Sequence, residues 1–377
     1  MNISLKDNHA FWTTGNGKDF LNWAGIAPET LQSAYDSELF FDYDREADRL
    51  VQKWLAEGSF GDIMKNLHGN PNAKIPEDFT ALRISCNILP HWVNRELIQS
   101  GSRLCQRSGV MGLLVLRNFA LLGGYYFANL TKPLVATGAL EKGAVHRLYH
   151  TLGFWVEVSR STENAAQMRM DVALRTRFIH SASRLMIMKK YPDWDAEQYG
   201  TPLNTADMIA TNIAFTLYFV YGLEKLNFPV SAEEEAGVFH LWKYVTWLLG
   251  VPAELIPENR RQALSFFKFW TAYQAPPDSD SASLADALIH ENTPVSLLKL
   301  DLMKKSMGYI HKSVANYLIS DDIRSSLEIP GVTLGSVIPA VLKLKNSMSA
   351  DSETQVQRGN REQLSVLEDY RENSKGA

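Results

Sequence analysis

The segment Arg177-Phe178-Ile179-His180-Ser181-Ala182-Ser183-Arg184 lies within a long helix-forming run. At ~100° per residue, Arg177, His180 and Arg184 fall within about 60° of one another on one helical face. The surrounding residues (Val172, Ala173, Leu174, Leu185, Met186, Ile187, Met188) are largely apolar, which turns that face inward. Two inward-facing arginines demand anionic partners, because an unpaired buried guanidinium is heavily penalised. The small neighbours Ala173, Thr176, Ser181, Ala182 and Ser183 let a flat group approach closely. A metal-bearing macrocycle with carboxylates at its rim, such as haem, meets all these demands. The same spacing also serves a plainer arrangement: a hydrogen-bonded core histidine, with both arginines paired to carboxylates of another helix.

A second constellation lies upstream, in Arg147-Leu148-Tyr149-His150-Thr151 at the head of the run Ala144 to Val158. Arg147, His150, Thr151 and Phe154 share one helical face by i, i+3, i+4, i+7 spacing. Thirty residues separate His150 from His180, enough for one helix to end near Ser159–Thr162, turn and return. Two antiparallel helices would then present a histidine each to opposite sides of one ligand.

With the Arg-x-x-His-x-x-x-Arg triplet stand Asp42 to Asp48, Leu134-Val135-Ala136-Thr137-Gly138, Trp194, Gly200-Thr201-Pro202-Leu203-Asn204, Trp242 and Leu249-Gly250-Val251-Pro252. Together these resemble the latex-clearing-protein and MpaB-type oxygenase family over roughly residues 40 to 260, with the triplet as the specific part. The resemblance implies an all-α, globin-like helical core with additional N- and C-terminal helices, binding haem b. It implies His180 as the proximal iron ligand, with Arg177 and Arg184 pairing to haem propionates or one of them fixing the proximal helix. It further implies dioxygen as co-substrate, with Arg147, His150 and Thr151 as the distal catalytic groups. Rubber-cleaving members read Arg-x-x-Lys-Thr at that distal place, whereas this chain reads Arg147-x-x-His150-Thr151. Imidazole binds iron readily at neutral pH, so His150 is a candidate distal ligand or a hydrogen-bond donor to bound oxygen. The change argues against rubber itself as substrate.

The expected function is a haem-dependent oxygenase acting on a double bond in an apolar isoprenoid or lipid-like small molecule. Two alternatives stay open. A peroxidase or peroxygenase would use a distal histidine and arginine to move a proton across hydrogen peroxide. A non-enzymatic bis-histidine haem protein would sense gas or transfer electrons.

Composition narrows the classes. The chain has 377 residues, 45% of them hydrophobic, and a formal net charge of −4. That balance, with no basic cluster, argues against nucleic-acid binding. Cys86 and Cys105 form neither a metal motif nor a disulfide framework. No signal pattern opens the sequence, which points to a cytoplasmic protein. The apolar run Val110 to Leu130 is broken by Arg117 and Asn118, so it reads as a core helix and not a membrane span. His146 and His150 have metal-pair spacing but lack the glutamate of a zinc-peptidase motif, and no Gly-x-Ser-x-Gly or P-loop occurs.

The elements that must position these residues are helices. Asp44 to Glu57, Pro90 to Arg107, Asn204 to Leu226, a capped helix from Ser231 to Leu249, Pro257 to Tyr273 and Val295 to Leu318 carry helical periodicity. The organisation expected is an N-terminal helical extension over 1–75, a haem-binding core over 76–274, a C-terminal helical segment over 282–346 and a mobile tail over 347–377. The stretch Ala275-Pro276-Pro277-Asp278-Ser279-Asp280-Ser281 is the clearest linker, and a short helix near Gln363 to Tyr370 is expected within the tail.

Overall fold

Asp44 starts the first long helix, α1 (Arg45–Ala56), by accepting a hydrogen bond from the Ala47 amide at 3.0 Å. The computed structural model describes residues 3–6, 8–70, 72–162, 164–291, 301–347 and 352–374, and every regular element among them is helical. The site is built and braced by α2 (Arg95–Arg107), α3 (Gly109–Val115), α4 (Ala139–Val158), α5 (Ala165–Lys190) and α6 (Thr205–Ile213). With them stand α7 (Ala232–Leu248), α8 (Arg260–Thr271), α9 (Asp301–Leu318), α10 (Val337–Asn346) and α11 (Glu353–Ser374). The all-α expectation holds.

Helices α2 and α7 cross where neither carries a side chain. A Cβ on Gly101 would stand 2.2 Å from the Gly237 carbonyl oxygen. Ser231 and Glu234 form the expected capping box at the start of α7. Glu234 also takes the buried Arg107 of α2, at 2.6 and 2.7 Å, so one carboxylate fixes both the helix start and the helix pair.

A π-helical turn over Leu116–Leu121 follows α3, a second over Ala214–Tyr218 follows α6, and the two turns pack together. The run from Val110 is buried as expected. Its Arg117 donates through Nη2 to the carbonyls of Leu288 and Glu291 at 2.7 and 2.9 Å. Thr205–Lys225 is long and apolar enough to cross a membrane by length and composition, and 78% of its apolar window is buried inside the protein.

Helix α4 is interrupted at Gly143 (φ 77°, ψ 163°), so its regular part begins at Ala144, where the periodicity places it. Arg169 of α5 holds the turn between α4 and α5 by donating to the carbonyls of Val158 at 2.6 Å and Arg160 at 2.7 Å. Those carbonyls are orphaned at the end of α4, and the arginine supplies their donors.

Several boundaries move. Pro90 does not head the helix through Arg107: the helix starts at Arg95 because Asn94 accepts from the amides of Glu96 and Leu97. The N-terminal stretch is not peripheral, since Phe11, Phe20 and Phe40 belong to the main core. The Ala275–Ser281 linker is a pinned connection, with the Ala275 amide on Asn129 and Asp278 capping the helix Ser279–Ile289. The expected mobile tail is largely the docked helix α11, because Val356, Gly359, Gln363, Val366 and Tyr370 form one buried stripe that polar composition conceals. The expected helix start at Val295, and Ser349 to Asp351, lie outside the described residues.

Candidate functional site

Helix α5 places its triplet where the spacing predicts. Arg177 and Arg184 are buried, and His180 lies between them facing a cavity with Tyr43, Leu203, Met208 and Val251. The cavity measures about 20 Å³, room for one water. His180 Nδ1 is buried and has no hydrogen-bond partner. Burial, and then the charge of Arg184, pushes the His180 pKa down to about 4, so the imidazole is neutral throughout the physiological range. A neutral ring with an unpartnered nitrogen is the form in which histidine binds a metal.

The arginines find their anions within the protein, a correction to the propionate pairing expected for them. Arg177 donates through Nη2 to Asp44 at 3.0 Å and to Glu46 at 3.3 Å, and through Nε to Asp44. Burial alone would lower its pKa, but the Asp44 and Glu46 carboxylates more than reverse this and hold it above its ordinary value. Arg184 makes a two-pronged pair with Asp48, Nε at 3.0 Å and Nη2 at 2.7 Å, and donates to the Leu203 carbonyl at 2.8 Å. Ser181 completes the Asp48 shell at 2.6 Å. The plainer reading of the spacing, carboxylates from another helix, is the one realised, and the arginines lock α5 to α1 and the residue before it.

Helix α4 divides its expected face. The Arg147 guanidinium lies 4.6 Å from the Tyr125 ring centroid, with Nη1 buried and without a partner. Burial lowers its pKa, and Tyr125 offsets this only in part. Among the described residues no carboxylate forms an ion pair with it. His150 instead turns to the outside and meets His146, Nε2 to Nε2 at 3.2 Å. Partial covering of the ring, and then His146, lowers the His150 pKa. Thr151 is half-buried, and Phe154 packs near Trp242 and Phe215, whose rings stack at 4.4 Å.

Sequence reasoning missed four participants. Tyr125 carries no signal beyond its place in an apolar run. Asp44 and Asp48 sit one helical turn apart, and that spacing alone could have matched them to the two arginines. Asp207 is fully buried beside the cavity residues Thr205 and Met208, and burial pushes its pKa up to about 7 despite bonds from Trp270 and Asn204. Among the described residues no group of three or more histidines, cysteines or acids could hold a metal ion, so a metal here would have to arrive with other ligands.

Residues 108–339 match the family described as ER-bound oxygenase mpaB/B'/rubber oxygenase, catalytic domain. The fold is similar to that of latex clearing protein LCP in the closed state, at a TM-score of 0.68 and 13% identity. That likeness covers 89% of this chain and 92% of the other. No curated protein matches the chain.

Proposed function

The chain belongs to the ER-bound oxygenase mpaB/B'/rubber oxygenase catalytic-domain family, and on that premise we propose that it is a haem b-dependent oxygenase. Its reaction is the oxidative cleavage or oxygenation, by dioxygen, of a carbon–carbon double bond in an apolar isoprenoid or lipid-like substrate. One observation carries the reading: His180 is neutral and presents a buried nitrogen that no protein group satisfies. That residue would hold an iron whose other ligands come with the macrocycle. Bound haem would supply the iron at which dioxygen is activated.

The chain's own residues then have distinct tasks. His180 holds the cofactor, and Arg177 and Arg184 hold His180 by fixing α5 against Asp44 and Asp48. Arg147, whose buried Nη1 has no partner and which has no carboxylate paired to it among the described residues, is suited to a cofactor carboxylate or to polarising a bound reactant. For His150 to act on the distal side its ring would have to turn from His146 towards the cofactor, where it could give or take a proton beside the Thr151 hydroxyl. Phe154, Phe215 and Trp242 offer an apolar wall that receives an alkene and excludes water. The cavity at His180 is far smaller than a macrocycle, so haem uptake entails outward movement of half-buried neighbours such as Met208 and Leu249.

The test begins with the haem-loaded protein. A Soret band from non-covalent haem b is expected in the wild type, and His180→Ala should lose most of the haem. The loaded enzyme, given isoprenoid lipids and unsaturated fatty acids, should form carbonyl products under oxygen and none under argon. Wild-type haem content and an unchanged spectrum in His180→Ala would overturn the proximal assignment.

A further inference from the structure

The outer face of α10 carries apolar side chains that the protein does not cover. Leu334, Val337, Val341 and Leu344 are 72%, 48%, 58% and 70% exposed, while Ile338 and Leu342 turn toward the core. Val337, Val341 and Leu344, spaced four and three residues apart, share one stripe about 10 Å long at 1.5 Å per residue, and Leu334 stands in the turn before it. Leu334 precedes the helix in a left-handed conformation, φ 56°, which leucine rarely adopts. Tyr309 pins this turn by donating to the carbonyls of Thr333 and Leu334, each at 3.0 Å. The fold thus holds a disfavoured backbone conformation that leaves a leucine in solvent, in the turn leading to three more exposed aliphatic groups. Single exposed apolar residues are ordinary, but an aligned row is a docking surface.

The helix itself carries charge of one sign. Between Glu328 and Asp351 the sequence has no aspartate or glutamate, and it carries Lys343 and Lys345, in a chain of net charge −4. The Lys343 ammonium lies over the Tyr317 ring, 4.9 Å from its centroid, and Lys345 is exposed.

We infer that this face docks onto the surface of an anionic lipid bilayer. The aliphatic stripe enters the boundary between acyl chains and headgroups, and the two lysines meet the anionic headgroups. Charge complementarity favours lipid over a second copy of the chain, since a two-fold interface through this face would bring the same lysines together. Docking of this kind gives a protein direct access to compounds that dissolve in membranes and not in water. It stands independently of the haem assignment.

Sedimentation of the full chain with vesicles tests this. The protein should pellet with phosphatidylcholine vesicles containing phosphatidylglycerol, stay in solution with phosphatidylcholine alone, and be released by salt. The Val341→Asp/Leu344→Asp variant should bind at least about tenfold more weakly. Lys343→Gln/Lys345→Gln should weaken binding to the mixed vesicles as well. Both changes lie on the surface, and an unchanged thermal transition checks that the fold is kept. The inference is overturned if the wild type binds neither vesicle, or binds both equally. It is also overturned if light scattering finds a dimer that the aspartate pair dissolves while vesicles are ignored.

Discussion

Gly250 stands where a side chain would collide with Asp44: a Cβ there would lie 2.2 Å from Asp44 Oδ2 and 2.9 Å from Arg177 Nε. Its backbone is left-handed, φ 94°, a conformation that only glycine adopts without strain. Three segments distant in sequence therefore close as one unit: Asp44 before α1, Arg177 on α5 and Gly250 after α7. The unit lies one turn from His180, so the precision of that ring's placement depends on a residue with no side chain.

Gly250→Ala should accordingly destabilise the protein by at least about 2 kcal/mol, from backbone strain and from displacing Asp44 off a buried guanidinium. The effect should appear as a lower urea midpoint with an unchanged slope. A variant as stable as the wild type would show that the Asp44–Arg177 pair contributes nothing there.

Arg184 and Asp48 make a sharper case. Arg184→Leu leaves Asp48 without its cation, and Asp48→Asn leaves the guanidinium without its counter-charge and with two of its three acceptors. Each should cost about 3 kcal/mol of global stability. The double variant Asp48→Leu/Arg184→Leu should recover part of that loss, since the buried charges leave together. If Arg184→Leu weakened haem binding while leaving stability untouched, a cofactor carboxylate would be the essential partner instead.

The helices were legible in the sequence because burial imposes a 3.6-residue period on them. The triplet of α5 was legible because charged residues on an apolar face stand out. What spacing could not supply was the partner. Arg177 and Arg184 demanded anions, and either propionates or Asp44 and Asp48 would satisfy that demand equally well in sequence. The division of Arg147 from His150 escaped for a related reason: shared helical phase does not fix where long side chains reach, and Tyr125 and His146 drew them to different places. Helix α11 was read as a mobile tail because its inward stripe includes Gly359 and Gln363, which hydropathy scores as solvent-facing. The Gln363 amide in fact donates to the Cys105 carbonyl at 2.8 Å, so a polar residue is a docking contact.

The neutrality of His180 has a pH signature. The folded ring has a pKa of about 4 against an ordinary value of 6.5, so the unfolded chain takes up a proton first as pH falls. The contribution to stability is full above about pH 6.5, declines as pH drops towards 4 and levels off below, a span of about 3 kcal/mol. His311, also buried and held well below its ordinary value, adds in the same direction. Asp207, raised to about 7, runs the other way: its contribution is full below the ordinary carboxylate range and is lost as pH rises through 7. Unfolding free energies between pH 4 and 8 should therefore fall on the acid side, and His180→Gln should flatten that fall. An unchanged acid slope in the variant would mean that the ring is hydrated in the fold.

Arg147 separates stability from cofactor binding. Its Nη1 is buried without a partner, and its contact with the Tyr125 ring does not replace a hydrogen bond. An unsatisfied buried donor costs about 1–3 kcal/mol, so Arg147→Leu should leave the cofactor-free protein as stable as the wild type or more stable. In the haem-loaded protein the direction reverses. If that nitrogen meets a carboxylate of the cofactor, the leucine variant should lose about 1.5–3 kcal/mol of affinity, roughly ten- to 150-fold in dissociation constant. Arg147→Lys should fall between, because a lysine keeps the charge and loses the two-pronged geometry. Thermal melts of the cofactor-free variants and haem transfer to an apo-globin acceptor measure the two effects separately. A leucine variant that melts earlier and retains haem normally would assign Arg147 to packing against Tyr125 and remove it from the site.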